Sequence, residues 1–381
     1  MKLLLLLPDL INAPHSGIPT VGRQALREIE RRAAEARVPL EIEVWALHDR
    51  EATADDLART LGLIAPPRRY RTFAGSRAAM LAAAATTRAR ADLVFTTHIA
   101  LGPVARLLKG PRTRLVQFIH GIECWRRLPV HHRVGLAATD ALLSNSAFTL
   151  ARFIDYNPAV RRIPSRVCWL GAPADRATTE APSRAENKGL SALIVGRMCG
   201  EERYKGHEEL IAVWSQVRRA CPEARLDVVG DGNARRALEV QAERLGLVGS
   251  GAVRFWGRVS DAELRARYEA ASVFAMPSRG EGFGLVYLEA MAFGLPCVAS
   301  LDDAAREVIA GGETGLLVRY GDREALARAL IDLFTDEDKR ARLGRAGRER
   351  MQAHFTEEHF GARLWAALGD FAPSLRAAGA A

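Results

Sequence analysis

Short apolar runs of β character alternate with helical stretches along most of this 381-residue chain. Such an alternation predicts parallel sheets that are covered by helices on both faces. It is interrupted at residues 174–188, which are polar, lack large apolar side chains and are typical of an interdomain linker. We therefore predict an α/β protein with two doubly wound domains, residues 1–173 and 189–355. Residues 356–381 are predicted to form a helical segment that can pack back on the N-terminal domain.

Predicted strands and helices alternate in both halves of the chain. In the first half we predict strands at Lys2–Leu7, Leu40–Trp45, Leu93–Thr96, Leu115–Ile119, Ala141–Ser144 and Arg166–Leu170, and helices at Val21–Ala36, Asp55–Leu61, Gly75–Ala89 and Ala147–Ile154. In the second half the predicted strands are Leu190–Val195, Leu226–Val229, Val253–Trp256, Val273–Met276 and Cys297–Ser300. The predicted helices there are His207–Ala220, Ala234–Leu245, Asp261–Ala270, Leu285–Phe293 and Arg323–Thr335, and residues 337–379 are predicted to be helical. Ligands of such sheets bind at the carboxyl ends of the strands, so the loops that follow strands carry the candidate site residues.

Charge and cysteine content limit the partners and the compartment. The net charge is +9, and the arginines are spread along the chain instead of forming one tail. This distribution favours a broadly basic surface over a nucleic-acid-binding arm, and we expect no nucleic-acid partner. The five cysteines are scattered and form no C-x-x-C pair. They indicate a reducing compartment, so we expect a cytoplasmic protein.

The segment from Ser278 to Glu289 is a glycine loop between a predicted strand and a predicted helix. Backbone N–H groups at the start of a helix suit an anion such as a diphosphate, and glycines let a ligand approach the backbone closely. The loop also carries Glu281, and Glu289 lies about one turn inside the helix. Carboxylates repel phosphate but accept hydrogen bonds from hydroxyls, so the combination indicates a sugar nucleotide. An ordinary strand-to-helix junction with solvated glutamates is the alternative.

Two cations belong to the first strand end of the second half. Arg197 follows Leu190–Val195, and Lys205 precedes the helix that begins at His207. Together they form a reasonable clamp for a diphosphate. Gly230-Asp231-Gly232 resembles a dinucleotide fingerprint weakly, because Arg235 occupies the position of the third glycine.

These segments occur in the order and spacing of family 4 glycosyltransferases, which the chain resembles most specifically over residues 190–325. The matching segments are Gly196-Arg197, Lys205-Gly206, Gly230-Asp231-Gly232, Phe255–Val259, Glu281 to Glu289 as the E-x7-E motif, Glu307–Ile309, Gly315–Val318 and Gly321-Asp322. The resemblance implies the GT-B fold, in which two Rossmann-like domains face a central cleft. One departure is Asp303-Ala304, where family members often have Gly-Gly, and it leaves the shape of that loop open.

The resemblance also implies roles for individual residues of the second domain. Arg197 and Lys205 would neutralise the donor diphosphate, which makes a metal ion unnecessary. Glu281 would hold hydroxyls of the transferred sugar, and Glu289 would accept hydrogen bonds from the ribose. The N–H groups expected around sugar and phosphate are those of Gly282, Phe283, Gly284 and Leu285. The base would lie near Gly257, with Arg258 and Val259 as its expected contacts.

In the first domain, Pro14-His15-Ser16-Gly17 resembles the family's glycine loop near the diphosphate, which makes Gly17 a donor-binding candidate. His120 ends the predicted strand Leu115–Ile119 and precedes a glycine. The pattern alone leaves a structural histidine open, whereas the resemblance implies that His120 faces the reacting sugar. The expected catalytic residues are therefore His120 and Glu281. Candidates for acceptor binding are His98, Glu123, Trp125 and Arg126, although an arginine-rich surface loop explains the last three nearly as well.

The resemblance implies a retaining hexosyltransferase. Its donor would be a UDP- or GDP-linked sugar, and its acceptor a hydroxyl of a glycan or lipid-linked molecule in cell-surface polysaccharide or glycolipid synthesis. Basic stretches at Pro66–Arg71 and Arg126-Arg127 predict contact with an anionic membrane surface. We expect no cofactor and no metal, since Asp336-Glu337-Asp338 matches D-x-D but is typical of a helix N-cap. A non-transferring enzyme of the same fold, such as an epimerase or phosphorylase, and an inactive nucleotide-sugar-binding protein remain as alternatives.

Overall fold

The structure, a computed structural model, describes residues 1–11, 17–87, 91–173, 189–200 and 205–375. The chain forms two compact units, of which unit 1 comprises Met1–Gly171 with Glu357–Ala381 and unit 2 comprises Ala172–Thr356. The predicted linker, 174–188, and residues 14–16 of the predicted N-terminal glycine loop lie outside the described residues.

Unit 1 is built on a parallel sheet. Its strands are β1 (Lys2–Leu7), β2 (Glu41–Ala46), β3 (Arg69–Thr72), β4 (Leu93–Thr96), β5 (Arg114–Ile119), β6 (Ala141–Ser144) and β7 (Ser165–Val167). The strand order is β3-β2-β1-β4-β5-β6-β7. The helices are α1 (Gly17–Glu35), α2 (Ala54–Leu61), α3 (Arg77–Thr86), α4 (Gly102–Leu108), α5 (Val130–Leu136) and α6 (Ala147–Tyr156), with short 3₁₀ helices at Ile99–Leu101, Pro158–Arg162 and Pro373–Leu375.

Unit 2 repeats the architecture. Its strands are β8 (Ser191–Val195), β9 (Arg225–Val229), β10 (Val253–Gly257), β11 (Val273–Ala275), β12 (Cys297–Ser300) and β13 (Gly315–Val318), in the order β10-β9-β8-β11-β12-β13. Its helices are α7 (His207–Ala220), α8 (Arg235–Arg244), α9 (Asp261–Ala270), α10 (Leu285–Ala292), α11 (Ala305–Val308), α12 (Arg323–Thr335) and α13 (Glu337–His354).

Both sheets confirm the predicted doubly wound fold. All paired strands run parallel. Strand β4 is buried throughout, and β1 and β5 are buried except for their first residues. In each unit the order of strands reverses beside the first strand, between β1 and β4 in unit 1 and between β8 and β11 in unit 2. The crevice at the carboxyl ends of such a strand pair is where open α/β sheets bind ligands. The topology therefore selects the loops after β1, β4, β8 and β11 as candidate sites.

The last helix, α14 (Glu357–Phe371), packs against α1 within unit 1. Glu357 accepts from the guanidinium of Arg27, with an Nη2–Oε1 distance of 2.6 Å. The rings of Phe360 and Phe118 lie 6.4 Å apart, which extends the core of the sheet onto α14. Unit 1 is therefore completed by residues from the end of the chain.

Several elements differ from the prediction. Strands β3 and β13 and helices α4, α5 and α11 were not predicted, and the strand expected at Arg166–Leu170 is Ser165–Val167. Strand β3 includes the last three residues of the basic stretch Pro66–Arg71, from which we predicted contact with a membrane. Its Tyr70 donates to the buried Asp49, and the guanidinium of Arg71 lies 4.5 Å from the ring centre of Trp45. Those two side chains are therefore used in packing.

Two smaller features complete the fold. Asp336 caps α13 by accepting from the N–H of Lys339 at 2.8 Å, which confirms the predicted N-cap. No helix in the described part of the chain is both long enough and apolar enough to cross a membrane.

Candidate active site

The first turn of α7 lies against the loop after β11. Gly206 caps α7 with a φ of 91°, and a Cβ at this position would lie 2.7 Å from the carbonyl oxygen of Pro277. Only a residue without a side chain allows this close approach. As a result, Lys205 reaches Glu281, with 2.6 Å between Nζ and Oε2. The fold thus joins two of the predicted donor-binding residues, although 76 residues separate them in sequence.

The Lys205–Glu281 pair lies at the switch point of the unit 2 sheet. Each of its side chains is 16% exposed, so the pair is largely shielded from water but open to a ligand on one side. Hydrogen bonds between ionised groups at this distance are about twice as strong as neutral ones. Arg197, the second predicted cation, is an exposed residue directly after β8 and Gly196. A lysine and a carboxylate therefore occur together where the topology places a ligand, and Arg197 follows the same strand end as Lys205.

The glycine loop enters α10 through Gly284. This residue has a φ of 92°, and a Cβ would overlap the ring of Tyr287, so glycine is required. The ring of Phe283 is buried and packs against Phe355, with 6.0 Å between ring centres. It is therefore the main chain of Phe283, and not its ring, that remains for a ligand. Gly282 is buried next to it, and Leu285 is the half-buried first residue of α10.

Glu289, the second glutamate of the motif, is buried within α10. Its Oε2 accepts a hydrogen bond of 2.9 Å from the hydroxyl of Tyr268 on α9. The Tyr268 ring is itself fixed, since it stacks on Phe293 at 5.3 Å between centres and 6° between planes. Tyr268 was not identified from the sequence, because an isolated tyrosine near the end of a helix is typical of the core. It supports the carboxylate that we predict to bind ribose.

Asp303 is a fully buried carboxylate beside Glu281 that was also not identified as a site residue. Its Oδ2 accepts from the Ser278 hydroxyl at 2.5 Å and from the Glu281 N–H at 3.0 Å, and its Oδ1 accepts from the Ala305 N–H at 2.9 Å. Burial raises the pKa of Asp303 to about 7; the three hydrogen bonds oppose this rise, and the charge of Glu281 adds to it. A signal was present in the sequence, since Asp303-Ala304 departs from the usual Gly-Gly.

The residues predicted for the nucleoside follow β10, which is the edge strand two places away from β8. Arg258 is exposed and Val259 is half-buried. The preceding residue, Gly257, has a φ of 68°, and a Cβ there would lie 2.6 Å from Nη1 of Arg235. Both residues therefore lie at the carboxyl ends of the strands, as do Lys205 and Glu281.

Gly230, in the weak dinucleotide fingerprint, has a packing role. Its φ is 130°, and a Cβ would overlap the carbonyl group of Gly196 on the neighbouring strand end. The glycine therefore allows the ends of β8 and β9 to approach each other.

His120 is the buried residue after β5 in unit 1. Its Nε2 lies 2.8 Å from the carbonyl oxygen of Thr97, which can only accept, so Nε2 carries the hydrogen and Nδ1 is the acceptor of the neutral ring. The main-chain N–H of His120 donates to Oε1 of Glu123 at 2.6 Å. Burial is the main reason that the pKa of His120 falls to about 4, so the ring is neutral at pH 7. A neutral acceptor nitrogen suits a sugar hydroxyl.

The other predicted residues of unit 1 also follow strand ends. His98 accepts from the Ala100 N–H through Nδ1 at 3.1 Å, which leaves Nε2–H as the donor of its neutral form. Trp125 is half-buried, packs edge-to-face on Phe148 at 5.4 Å, and its Nε1 has no hydrogen-bond partner among the described residues. Arg126 is exposed, and Gly17 is the exposed first residue of α1. The structure thus brings His120 and Glu123 into contact and shows no described partner for Gly17.

Basic residues from neighbouring segments influence His132 on α5. The pKa of His132 is lowered to about 4, first by burial and then by the basic groups His131, His98, Arg126 and Arg77. Its Nδ1 is buried and has no hydrogen-bond partner among the residues described. We call Arg77, His98, Arg126, His131 and His132 the cationic cluster, and its permanent positive charges are those of the two arginines, since the pKa values of His98 and His132 are lowered. The cluster was not recognised in the sequence because its members come from four separate segments.

Comparison with known proteins identifies the family. Residues 175–350 match the family described as Glycosyl transferases group 1. A GDP-mannose-dependent monoacylated alpha-(1-6)-phosphatidylinositol monomannoside mannosyltransferase of Corynebacterium glutamicum is 31% identical over 326 residues, covering 77% of this chain and 83% of that protein. A GDP-mannose-dependent alpha-(1-6)-phosphatidylinositol monomannoside mannosyltransferase of Mycolicibacterium smegmatis is 33% identical over 286 residues, covering 69% of this chain and 72% of that protein.

A solved structure supports the same conclusion at the level of the fold. Anabaena HepE, in complex with UDP and glucose, matches with a TM-score of 0.72 over 97% of this chain and 99% of that chain, at 21% identity. The chain therefore belongs to the group 1 glycosyltransferase family. The predicted class of protein, a glycosyltransferase enzyme with the GT-B fold, is confirmed.

Proposed function

We propose that this glycosyltransferase moves mannose from GDP-mannose to a hydroxyl of a phosphate-bearing glycolipid, with retention of configuration and without a metal ion or other cofactor. The observation that carries the proposal is the Lys205–Glu281 pair, since a cation for the diphosphate and a carboxylate for the sugar lie 2.6 Å apart at the switch point of the sheet. The donor and the acceptor class are suggested by the named activities of the two mannosyltransferases that the chain resembles.

The chemistry requires stabilisation of a leaving diphosphate. Lys205 and Arg197 supply positive charge, and the N-terminus of α10 supplies backbone N–H groups and the positive end of a helix dipole. The acceptor oxygen bonds to the anomeric carbon as the bond from that carbon to the diphosphate oxygen breaks. The acceptor proton passes to the departing diphosphate on the same face, which gives retention without a protein nucleophile. Glu281 and Glu289 hold sugar and ribose hydroxyls and take no part in bond formation.

The cationic cluster of unit 1 supports an acceptor that carries a phosphate. The guanidinium groups of Arg77 and Arg126 both contribute to the lowered pKa of His132, so two permanent positive charges act on the same part of unit 1. An anion at this point would relieve the repulsion, and arginine is well suited to a phosphate oxygen pair. A phosphodiester headgroup bound by these arginines would hold the acceptor on unit 1.

A surface around α5 supports contact with an anionic membrane. We define the α5 surface by the exposed apolar residues Ile122, Val130 and Val134 and the exposed cations Arg126, Arg127 and Arg133. Val130 is 66% exposed and Val134, one turn further along α5, is 40% exposed. Exposed aliphatic groups surrounded by arginines match the apolar and anionic layers of a lipid surface.

Flotation with vesicles tests this part of the proposal. The chain is expected to bind phosphatidylglycerol vesicles more tightly than phosphatidylcholine vesicles at low salt. Replacing Arg126 and Arg127 by alanine should remove most of the difference, whereas the control replacement of Arg112 and Arg114, at the amino end of β5, should not. Equal binding to both vesicle types would refute a lipid role for the α5 surface.

The state of the cysteines supports a reducing compartment. The described cysteines are free thiols, and Cys124, Cys168, Cys221 and Cys297 are buried. We propose a cytoplasmic enzyme that acts at the inner face of the membrane and has no nucleic-acid partner.

A two-part experiment tests the function itself. Thermal shifts with GDP, UDP, ADP and their sugar conjugates, each repeated with EDTA, should single out GDP and GDP-mannose and be insensitive to EDTA. Transfer of radiolabelled mannose to phosphatidylinositol mannosides in vesicles should then be lost in Glu281→Ala, while GDP binding persists. Stabilisation by a different nucleotide would refute the donor, and binding without transfer by the wild type would favour an inactive binding protein.

A further inference from the structure

Asp303 joins the loop after β12 to the loop after β11. It accepts the hydroxyl of Ser278 and the N–H of Glu281 from the second loop, and the N–H of Ala305 from its own. The neighbouring residue completes the connection, because the N–H of Ala304 donates to the carbonyl oxygen of Glu281 at 3.2 Å. Both main-chain polar groups of Glu281 are therefore fixed by residues 303 and 304.

A carboxylate is costly at this position. Asp303 is fully buried, and burying an ionised carboxylate is unfavourable unless hydrogen bonds compensate for the lost water. The same side chain is useful because two oxygens can accept all three donors at once, which neither glycine nor alanine could do. A costly group that satisfies the main chain of a neighbouring loop indicates that the conformation of that loop matters.

The loop conformation determines where the Glu281 side chain points. Its Cβ follows the main chain, and its carboxylate meets Lys205 at 2.6 Å. We propose that Asp303 is a positioning residue that holds Glu281 in the orientation required to bind the transferred sugar. The inference rests on the proposed function, since it assigns Asp303 to the sugar part of the donor and leaves the nucleotide to other residues.

The test compares nucleotide and sugar-nucleotide binding in Asp303→Asn, which keeps the shape of the side chain but turns one acceptor oxygen into a donor. Calorimetric titration should give an unchanged affinity for GDP, within about twofold, and an affinity for GDP-mannose that falls about tenfold or more. The transfer assay should show a loss of kcat of about 30-fold with little change in KM for the acceptor. Asp302→Asn is the matched control, because Asp302 accepts from the N–H of Tyr320 at 2.7 Å and does not hold Glu281.

A double-mutant cycle separates positioning from general stability. If Asp303 acts through Glu281, then adding Asp303→Asn to Glu281→Ala should not weaken GDP-mannose binding further. A merely structural role would instead weaken GDP and GDP-mannose equally, in both backgrounds, and would overturn the inference. Should Asp303→Asn fail to fold, Ser278→Ala removes one of the three donors and should shift GDP-mannose affinity in the same direction by a smaller factor.

The outcomes also distinguish this inference from the proposed function. A wild-type chain that binds no nucleotide sugar contradicts the proposed function. A wild type that transfers mannose and loses transfer in Glu281→Ala, with Asp303→Asn indistinguishable from the wild type, contradicts the role of Asp303 alone.

Discussion

The hydroxyl of Tyr268 offers a sharp test of how Glu289 is held. Tyr268→Phe removes the donor of the 2.9 Å hydrogen bond to Oε2 and retains the ring that stacks on Phe293 and lies 6.1 Å from Phe274. The side chains of Tyr268 and Glu289 are 2% and 3% exposed, so water cannot readily replace the lost donor. A buried hydrogen bond to a charged group contributes about 1.5–3 kcal/mol. For a unit of this size, a loss of about 2 kcal/mol corresponds to a Tm lower by about 4–8 °C.

The same change should affect nucleotide binding in a specific way. Without Tyr268 the Glu289 carboxylate can rotate, so its predicted hydrogen bonds with the two ribose hydroxyls weaken. We expect the affinity for GDP to fall about tenfold, which corresponds to about 1.4 kcal/mol, and the affinity for 2′,3′-dideoxy-GDP to change by less than about twofold. Scanning calorimetry gives the Tm of the transition that GDP shifts, and titration calorimetry gives both affinities.

A second variant controls for the loss of a tyrosine hydroxyl that donates to a buried carboxylate. Tyr70→Phe removes a hydroxyl that donates to the buried Asp49 in unit 1. It should destabilise unit 1 and leave GDP affinity unchanged. The reasoning is refuted if Tyr268→Phe weakens GDP and its dideoxy analogue by the same factor, because the hydroxyl would then act through the fold and not through the ribose.

Three further predictions follow from buried groups. The pKa of Asp303, about 7, lies above its ordinary value of 3.8, so its contribution to stability is complete below pH 3.8 and is lost as the pH rises to 7. Urea unfolding should show the free energy of the wild type falling relative to Asp303→Asn over this window, by at most about 1.4 kcal/mol per pH unit, and a constant difference would contradict the raised pKa. Gly230→Ala should destabilise unit 2 by more than about 2 kcal/mol, because its Cβ would overlap the carbonyl of Gly196; an unchanged urea midpoint would be inconsistent with that packing. Glu357→Ala should remove the 2.6 Å pair with Arg27 and lower the stability of unit 1 by about 1–2 kcal/mol, while the thermal transition that GDP shifts stays in place.

Most of the longer elements could be predicted because buried parallel strands are continuous apolar runs and long helices show their period, whereas short helices such as α4 and α11 do not. Strand β3 was not predicted, because it is an edge strand whose sequence, Arg69-Tyr70-Arg71-Thr72, is polar and at most half-buried. Helix α5 was not predicted either, because Val130 and Val134 are exposed and too few buried residues remain to show a helical period. Local patterns report burial, and these two elements bury little.

The candidate site also has a part that could be predicted from the sequence and a part that could not. Lys205, Glu281 and Glu289 could be selected from the sequence because each belongs to a segment whose spacing the chain shares with a known family. The contact between Lys205 and Glu281 could not be derived from either segment, because it depends on the close approach of Gly206 to Pro277. The cationic cluster of unit 1 was missed for a related reason, since its arginines and histidines converge only when the carboxyl ends of several strands are aligned.

Asp303 and Tyr268 show why the motif alone underdetermines the site. The E-x7-E spacing places one glutamate before α10 and the other within it, but it does not fix the direction of either carboxylate. Glu281 is held by Asp303 from the loop after β12 and paired with Lys205 from the loop after β8, and Glu289 is held by Tyr268 from α9. Each glutamate is thus oriented by a residue at least 21 positions away, on an element that the motif does not include. We therefore expect the direction of the Glu281 carboxylate to depend on residues 303 and 304 as much as on the spacing of the two glutamates.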